Sequence, residues 1–127
     1  MMQAKPPKNT SEYLWTAHSV FKMRQYGLSE QRVKNVIKRP KRKEEGIVKN
    51  TVAVMQPVSA KIINGKEIWK QEIWVMFQKR GTRSMERGTK VQNRKQIKII
   101  SAWRYPGVSP KNNPIPEEIL EELGNIK

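Results

Sequence analysis

"TVAVMQPVSAKIINGKEIWKQEIWVMF", residues 51–77, contains the turn on which the fold depends. Asn64-Gly65 lies between two runs rich in Val, Ile and aromatic residues. Asn-Gly is the strongest short-range signal for a two-residue hairpin turn, because both central residues must take positive φ. Residues 51–63 and 66–77 are therefore predicted to pair antiparallel. Period-2 alternation puts Trp69, Ile73, Val75 and Phe77 on one face of the second strand, the expected core side. Ile68, Lys70, Glu72, Trp74 and Met76 take the other, more mixed face. "EIW" occurs twice at a spacing of five, so the two indoles are expected on opposite faces.

Downstream, "KIISAWRYPGVSP", residues 98–110, ends a third long strand of about 96–105. Pro106 cannot donate to a ladder and Gly107 releases the backbone, so the strand stops there. Alternation assigns Ile97, Ile99, Ser101, Trp103 and Tyr105 to one side, and Ile100, Ala102 and Arg104 to the other. The stretch 79–95 between these strands is a basic, Gly-containing connection.

Upstream of the hairpin the periodicity is helical. Residues 1–10 form a polar leader, and residues 11–127 read as one domain. From Ser11, Leu14, Ala17, Val20 and Phe21 share an arc, and Gly27 suits a left-handed C-terminal cap. Ser29 caps a second helix with Val33, Val36 and Ile37 as its stripe, stopped at Pro40. At the other end, "IPEEILEELGN" predicts a short helix, with Pro116 in its first turn and early glutamates favoured by the dipole. Ile119, Leu120 and Leu123 form its apolar face. Its four glutamates either shield a basic surface or simply face water while the helix caps the core. The fold class is α+β: two N-terminal helices on a twisted antiparallel sheet of three to four strands, with a short C-terminal helix.

Composition narrows the chemistry. Lys and Arg number 26 against 11 acids, a net charge of +15, which favours a polyanion partner, nucleic acid above all. With no Cys and a single His, thiolate sites and multi-histidine sites within one chain are excluded. Every acid is Glu, so a Ser-His-Asp triad is absent and carboxylate-rich magnesium clusters are hard to assemble. Neither a metal nor a cofactor is expected. The sequence has no membrane-spanning stretch and no signal peptide, and the expected compartment is the cytoplasm.

Candidate residues follow from these limits. His18 is the natural general acid or base, with Lys22 one turn away. Arg24 projects into the apolar arc between Val20 and Ala17, where a guanidinium needs a partner or a cavity. "KRPKRK", Lys38 to Lys43, which includes Arg39 and Arg42, is the densest basic run and suits phosphate contact or a solvated helix end. Arg104 emerges at a strand end from a small-residue face, as a two-pronged grip on phosphate or as an edge charge paired with glutamate.

"TAHSVFKMRQYGLSEQRVKNVIKRPKRKEEG", followed by strands and "IKIISAWRYPG", resembles the small prokaryotic family filed as domain of unknown function 4258. That family is distantly similar to the BrnT and RelE ribonuclease toxins. The resemblance spans about 90 residues, Thr16 to Pro106, on His18, Lys22, Met23, Arg24, Gly27 to Glu30, Pro40 and Ile99 to Arg104. It implies a RelE-like sheet backed by two helices. It also implies metal-independent cleavage of RNA with the RNA's own 2′-hydroxyl as nucleophile, and an acidic antitoxin partner. On it, His18 would exchange protons, while Lys22 and Arg104 would stabilise the pentavalent phosphate. Arg24, Arg39 and Arg42 would position substrate, and Trp74, Trp103 or Tyr105 would stack a base. The alternatives are a non-catalytic nucleic-acid-binding module using the same basic face, and a structural protein that binds an acidic partner.

Overall fold

The computed structural model describes residues 7–82, 94–110 and 113–124. Its elements run β1 (Tyr13–Trp15), α1 (Ala17–Tyr26), α2 (Glu30–Lys38), β2 (Arg42–Glu45), β3 (Val52–Pro57), β4 (Lys61–Ile63), β5 (Lys66–Ile68), β6 (Gln71–Thr82), β7 (Arg94–Pro106) and α3 (Glu117–Gly124). The architecture is α+β, as the patterning predicts. The sheet differs: it has five strands in the order β1-β7-β6-β3-β2 and is mixed, because β1 runs parallel to β7.

The Asn64-Gly65 turn forms as expected, with φ of 51° and 78°. The hairpin it closes is interrupted. β4 and β5 make a separate two-stranded ribbon, while β3 and β6 resume the same register inside the main sheet. Trp69 and Lys70 lie outside the strands, so the alternation breaks there, and both Trp69 and Trp74 belong to one apolar cluster. The expectation of opposite faces for the two indoles is corrected by that break.

Two further departures have local causes. Tyr13-Leu14-Trp15 is a strand and not the first turn of a helix. Thr16 takes extended backbone (φ −72°, ψ 155°) and caps α1 by accepting from the Ser19 N–H, so the helix starts at Ala17. Its buried face is then Ser19, Lys22 and Met23, while Phe21 is 62% exposed. Arg24 is exposed and points at no core. The basic run also contains β2, an edge strand paired to β3 from Arg42↔Met55 to Glu45↔Val52. A strand made wholly of charged residues suits a sheet edge, which must resist pairing with other chains.

A bulge decides the opposite strand. Met76 pairs with Ser101 and Phe77 with Ile99, which leaves Ile100 as an extra residue on β7. One inserted residue reverses which side each later side chain faces. Ile97 and Ile99 therefore share the helix-covered face with Ala102, and Arg104 joins them. Ile100, Trp103 and Tyr105 take the other face. The alternation predicted from sequence fails at that one position.

The sheet is buried on both sides, so Glu72 to Phe77 are all buried. On one side Val33 and Val36 of α2, with Met23 of α1, pack on Val54, Val75 and Ile99. On the other, Ile115 and Ile119 pack on Met55, Trp74, Met76 and Trp103. The face expected to be mixed is thus a second core, closed by the C-terminal segment. Leu120, assigned to the apolar face of the tail helix, is 39% exposed. Among the described residues no helix is long and apolar enough to cross a membrane.

Candidate nucleic-acid interface

Thr16 hands the chain from β1 to α1 by donating its hydroxyl to the Ile99 carbonyl at 2.8 Å. α1 then runs beside β7 beyond the short pairing with β1, which brings His18 to Ser101. The imidazole Nε2 lies 3.1 Å from Ser101 Oγ, and Nδ1 lies 3.7 Å from Glu122 Oε2 on α3. Burial pushes the imidazole below its ordinary value of 6.5; Glu122 opposes that shift and Lys22 adds to it. A histidine so placed is neutral at pH 7 and able to accept a proton. Ser101, His18 and Glu122 have the order of a hydrolase triad, but Ser101 is fully buried in mid-strand. It lacks the exposed turn that a nucleophilic serine needs. Its hydroxyl orients the imidazole.

His18 borders a cleft of about 310 Å³, whose other walls include Thr16, Thr51, Gln78, Lys49 and Lys98. On the opposite, helix-covered face, at the same end of the sheet, a second cleft of about 330 Å³ opens. Its floor includes Val54, Phe77 and Ile97, and Lys38, Lys43 and Lys79 rim it. Among the described residues no acid lines either cleft. Lys43 does pair with Glu45 at 3.0 Å, but both side chains are about half-exposed or more, so the pair is weak. Lys38 and Lys43 come from the predicted basic run and Lys79 from the predicted basic connection, most of which lies outside the described residues. Lys98 ends the basic stretch 79–98 that the sequence offers for phosphate contact, whereas Lys49 and Gln78 were not singled out by sequence. Gln78 is brought in by its pairing opposite Lys98, and Lys49 by the turn before β3.

The other predicted site residues do not converge on His18. Lys22 is 1% exposed, and its ammonium donates to Glu122 Oε1 and to Gln25 Oε1 at 2.9 Å, with Glu118 at 3.8 Å. α3 thus occupies the position a phosphate would need. Arg104 donates from Nε to the Tyr26 carbonyl at 2.6 Å and from Nη1 to Gln71 at 3.1 Å, capping the C-terminus of α1. Tyr26 lies eight residues along the helix from His18, about 12 Å, so His18 and Arg104 cannot grip one phosphate together.

Arg42 is held in an internal network. Nη1 donates to the Ser109 hydroxyl at 2.8 Å and carbonyl at 2.9 Å, and Nη2 donates to Glu44 at 2.8 Å. Its guanidinium sits 5.1 Å from the Trp74 ring centre. Trp74 is fully buried and stacks on Trp103 with 6.2 Å between ring centres, so neither indole presents a face to a base. Tyr105 is half-buried against the same cluster. Arg24 and Arg39 are exposed, Arg24 in the last turn of α1 and Arg39 as the C-cap of α2. Among the described residues no three His or Glu side chains converge as a metal site.

Comparison with known proteins finds no matching family model, no similar curated protein and no matching solved structure.

Proposed function

We propose that the protein binds RNA, or another nucleic acid, through the lysine-rich end of its sheet. The observation that carries this is the convergence of Lys38, Lys43 and Lys79 on one face, and Lys49 and Lys98 on the other, round clefts without acidic lining. These lysines come from α2, β2, β6, β7 and the loop before β3, and their mutual repulsion costs free energy that an anionic backbone relieves. The net charge of +15 and the resemblance to ribonuclease toxins support the same partner. Titration of labelled single-stranded RNA at low and moderate salt tests it, with the wild type beside Lys38→Gln/Lys43→Gln/Lys79→Gln. Affinity that ignores both salt and the triple substitution would refute it. Equally tight binding of polyglutamate would instead favour an acidic protein partner.

A second function, metal-independent ribonuclease activity of the toxin type, is favoured by His18. Its imidazole is neutral, orientated by Ser101 and at the edge of a lysine-lined cleft. It would take the proton of a 2′-hydroxyl as that oxygen attacks phosphorus and the bond to the 5′-oxygen breaks. Lys49 and Lys98, in place of Lys22 and Arg104, would face the phosphate. Labelled RNA incubated in EDTA with wild type and His18→Ala decides the matter: cleavage that survives the substitution rules His18 out as the base.

A further inference from the structure

At the end of the sheet away from the lysines, Arg32 of α2 and Arg104 of β7 line one open cleft of about 390 Å³, together with Gly27, Ser29, Ser59 and Ile73. No acid is among its lining residues, and among the described residues neither arginine forms an ion pair. Arg104 is fixed in place by its bonds to Tyr26 and Gln71. That accounts for Arg104 as a helix cap, but it leaves Arg32 unexplained. The Nε of Arg32 is buried with no hydrogen-bond partner. An unpaired buried donor on a charged group is costly, and most such groups in native proteins have a partner.

We propose that Arg32 and Arg104 together hold a phosphate group, of the monoester, dianionic kind. Arg32 can turn its two terminal nitrogens to a phosphate as a pair, while Arg104, whose Nε and Nη1 are already engaged, adds Nη2 and its charge. Placed between the two side chains, the dianion relieves their repulsion. One of the two is already immobilised, so less order is lost on binding. Ser59 offers a hydroxyl at the rim; Ser29 contributes less, because its oxygen already accepts the Arg32 backbone N–H at 3.0 Å. Along β6 from Ile73 to Lys79 is about 20 Å. The site is therefore separate from the lysine-rich end, and it stands or falls independently of nucleic-acid binding there.

Calorimetric titration of the full-length protein with inorganic phosphate, at constant ionic strength in chloride, tests the proposal. Wild type should bind one phosphate. Arg32→Gln should weaken that binding at least tenfold, and Lys66→Gln, exposed on β5, should leave it unchanged. If Arg32→Gln melts early, Arg32→Lys replaces it: it keeps the charge and the stem, lacks the fork, and should still weaken binding. A 5′-phosphorylated oligoribonucleotide compared with its 5′-hydroxyl twin separates the sources of the group. A preference for the phosphorylated end that Arg32→Gln abolishes identifies a chain terminus. Arg32-dependent phosphate binding without that preference identifies a free phosphate or mononucleotide. No binding by wild type, or equal binding by the Arg32 variants, overturns the site.

Discussion

Glu72 sits fully buried on a central strand and accepts from four donors. The indole N–H groups of Trp69 and Trp74 reach it at 2.8 and 2.9 Å, and the backbone N–H and hydroxyl of Ser109 at 3.2 and 2.6 Å. Arg42 adds its charge at 3.8 Å. Three donors converge on Oε1 and one on Oε2, so its removal strands two indole N–H groups and the buried N–H of Ser109. Glu72→Ala should destabilise the fold by about 3–5 kcal/mol, read from urea unfolding. His18 makes a second prediction at this scale. Its folded value lies below 6.5, so as pH falls the unfolded chain takes up the proton first. The stability His18 contributes is present above about 6.5 and is lost as pH drops through that value towards the folded one. Unfolding midpoints measured from pH 8 to pH 5 should fall, and His18→Gln should flatten that slope.

The tail helix, α3, has two roles that sequence left as alternatives. Ile119 is fully buried against the tryptophan pair, with Ile115 beside it, so the helix closes a core. Glu118 and Glu122 also cover Lys22, and Glu122 approaches His18. Truncation after Pro114 should therefore unfold the protein in place of simply tightening RNA binding, since it uncovers Trp103 and leaves Lys22 buried without a carboxylate. Ile119→Ala, which keeps the glutamates, should cost about 2–5 kcal/mol through the cavity it opens. Trp103→Ala should cost about 3–5 kcal/mol, because its stacked indole also donates to the Pro114 carbonyl at 3.1 Å. Melting curves on both point variants check these values. A double variant that loses less than the sum of the two would show α3 and the indoles to be one packing unit.

Across the described residues, two basic clusters stand towards opposite ends of the sheet. Lys38, Lys43, Lys49, Lys79 and Lys98 gather at one end, Arg32 and Arg104 at the other, and the glutamates of α3 cover the flank of α1. If all five lysines meet phosphates of a single strand, each contributes roughly 0.7 to the slope of log affinity against log salt. The total would be about −3.5, and Lys38→Gln/Lys43→Gln/Lys79→Gln should flatten it by about 2. Anisotropy titrations across salt measure both numbers. A triple variant with the wild-type slope would place the nucleic acid elsewhere.

Much of the local structure is set by neighbouring residues. The Asn64-Gly65 turn, the Gly27 end of the first helix, the Ser29-to-Pro40 segment, the strand that ends at Pro106 and the tail helix are written in short-range chemistry: caps, positive φ and missing N–H groups. The basic balance and the choice of His18 as the one neutral-pH titrating side chain were legible in the same way. Tertiary structure alone decided which charges meet. A bulge at Ile100 turned Arg104 to the helix side, and a pairing across more than 80 residues made a strand of Tyr13 to Trp15. The C-terminal segment sealed Trp74, Lys22 and Glu72 inside. Period and propensity report only the few residues on either side, whereas a side chain's partners depend on the register between distant strands. That is why His18 was found from the sequence and Lys49 and Arg32 were not.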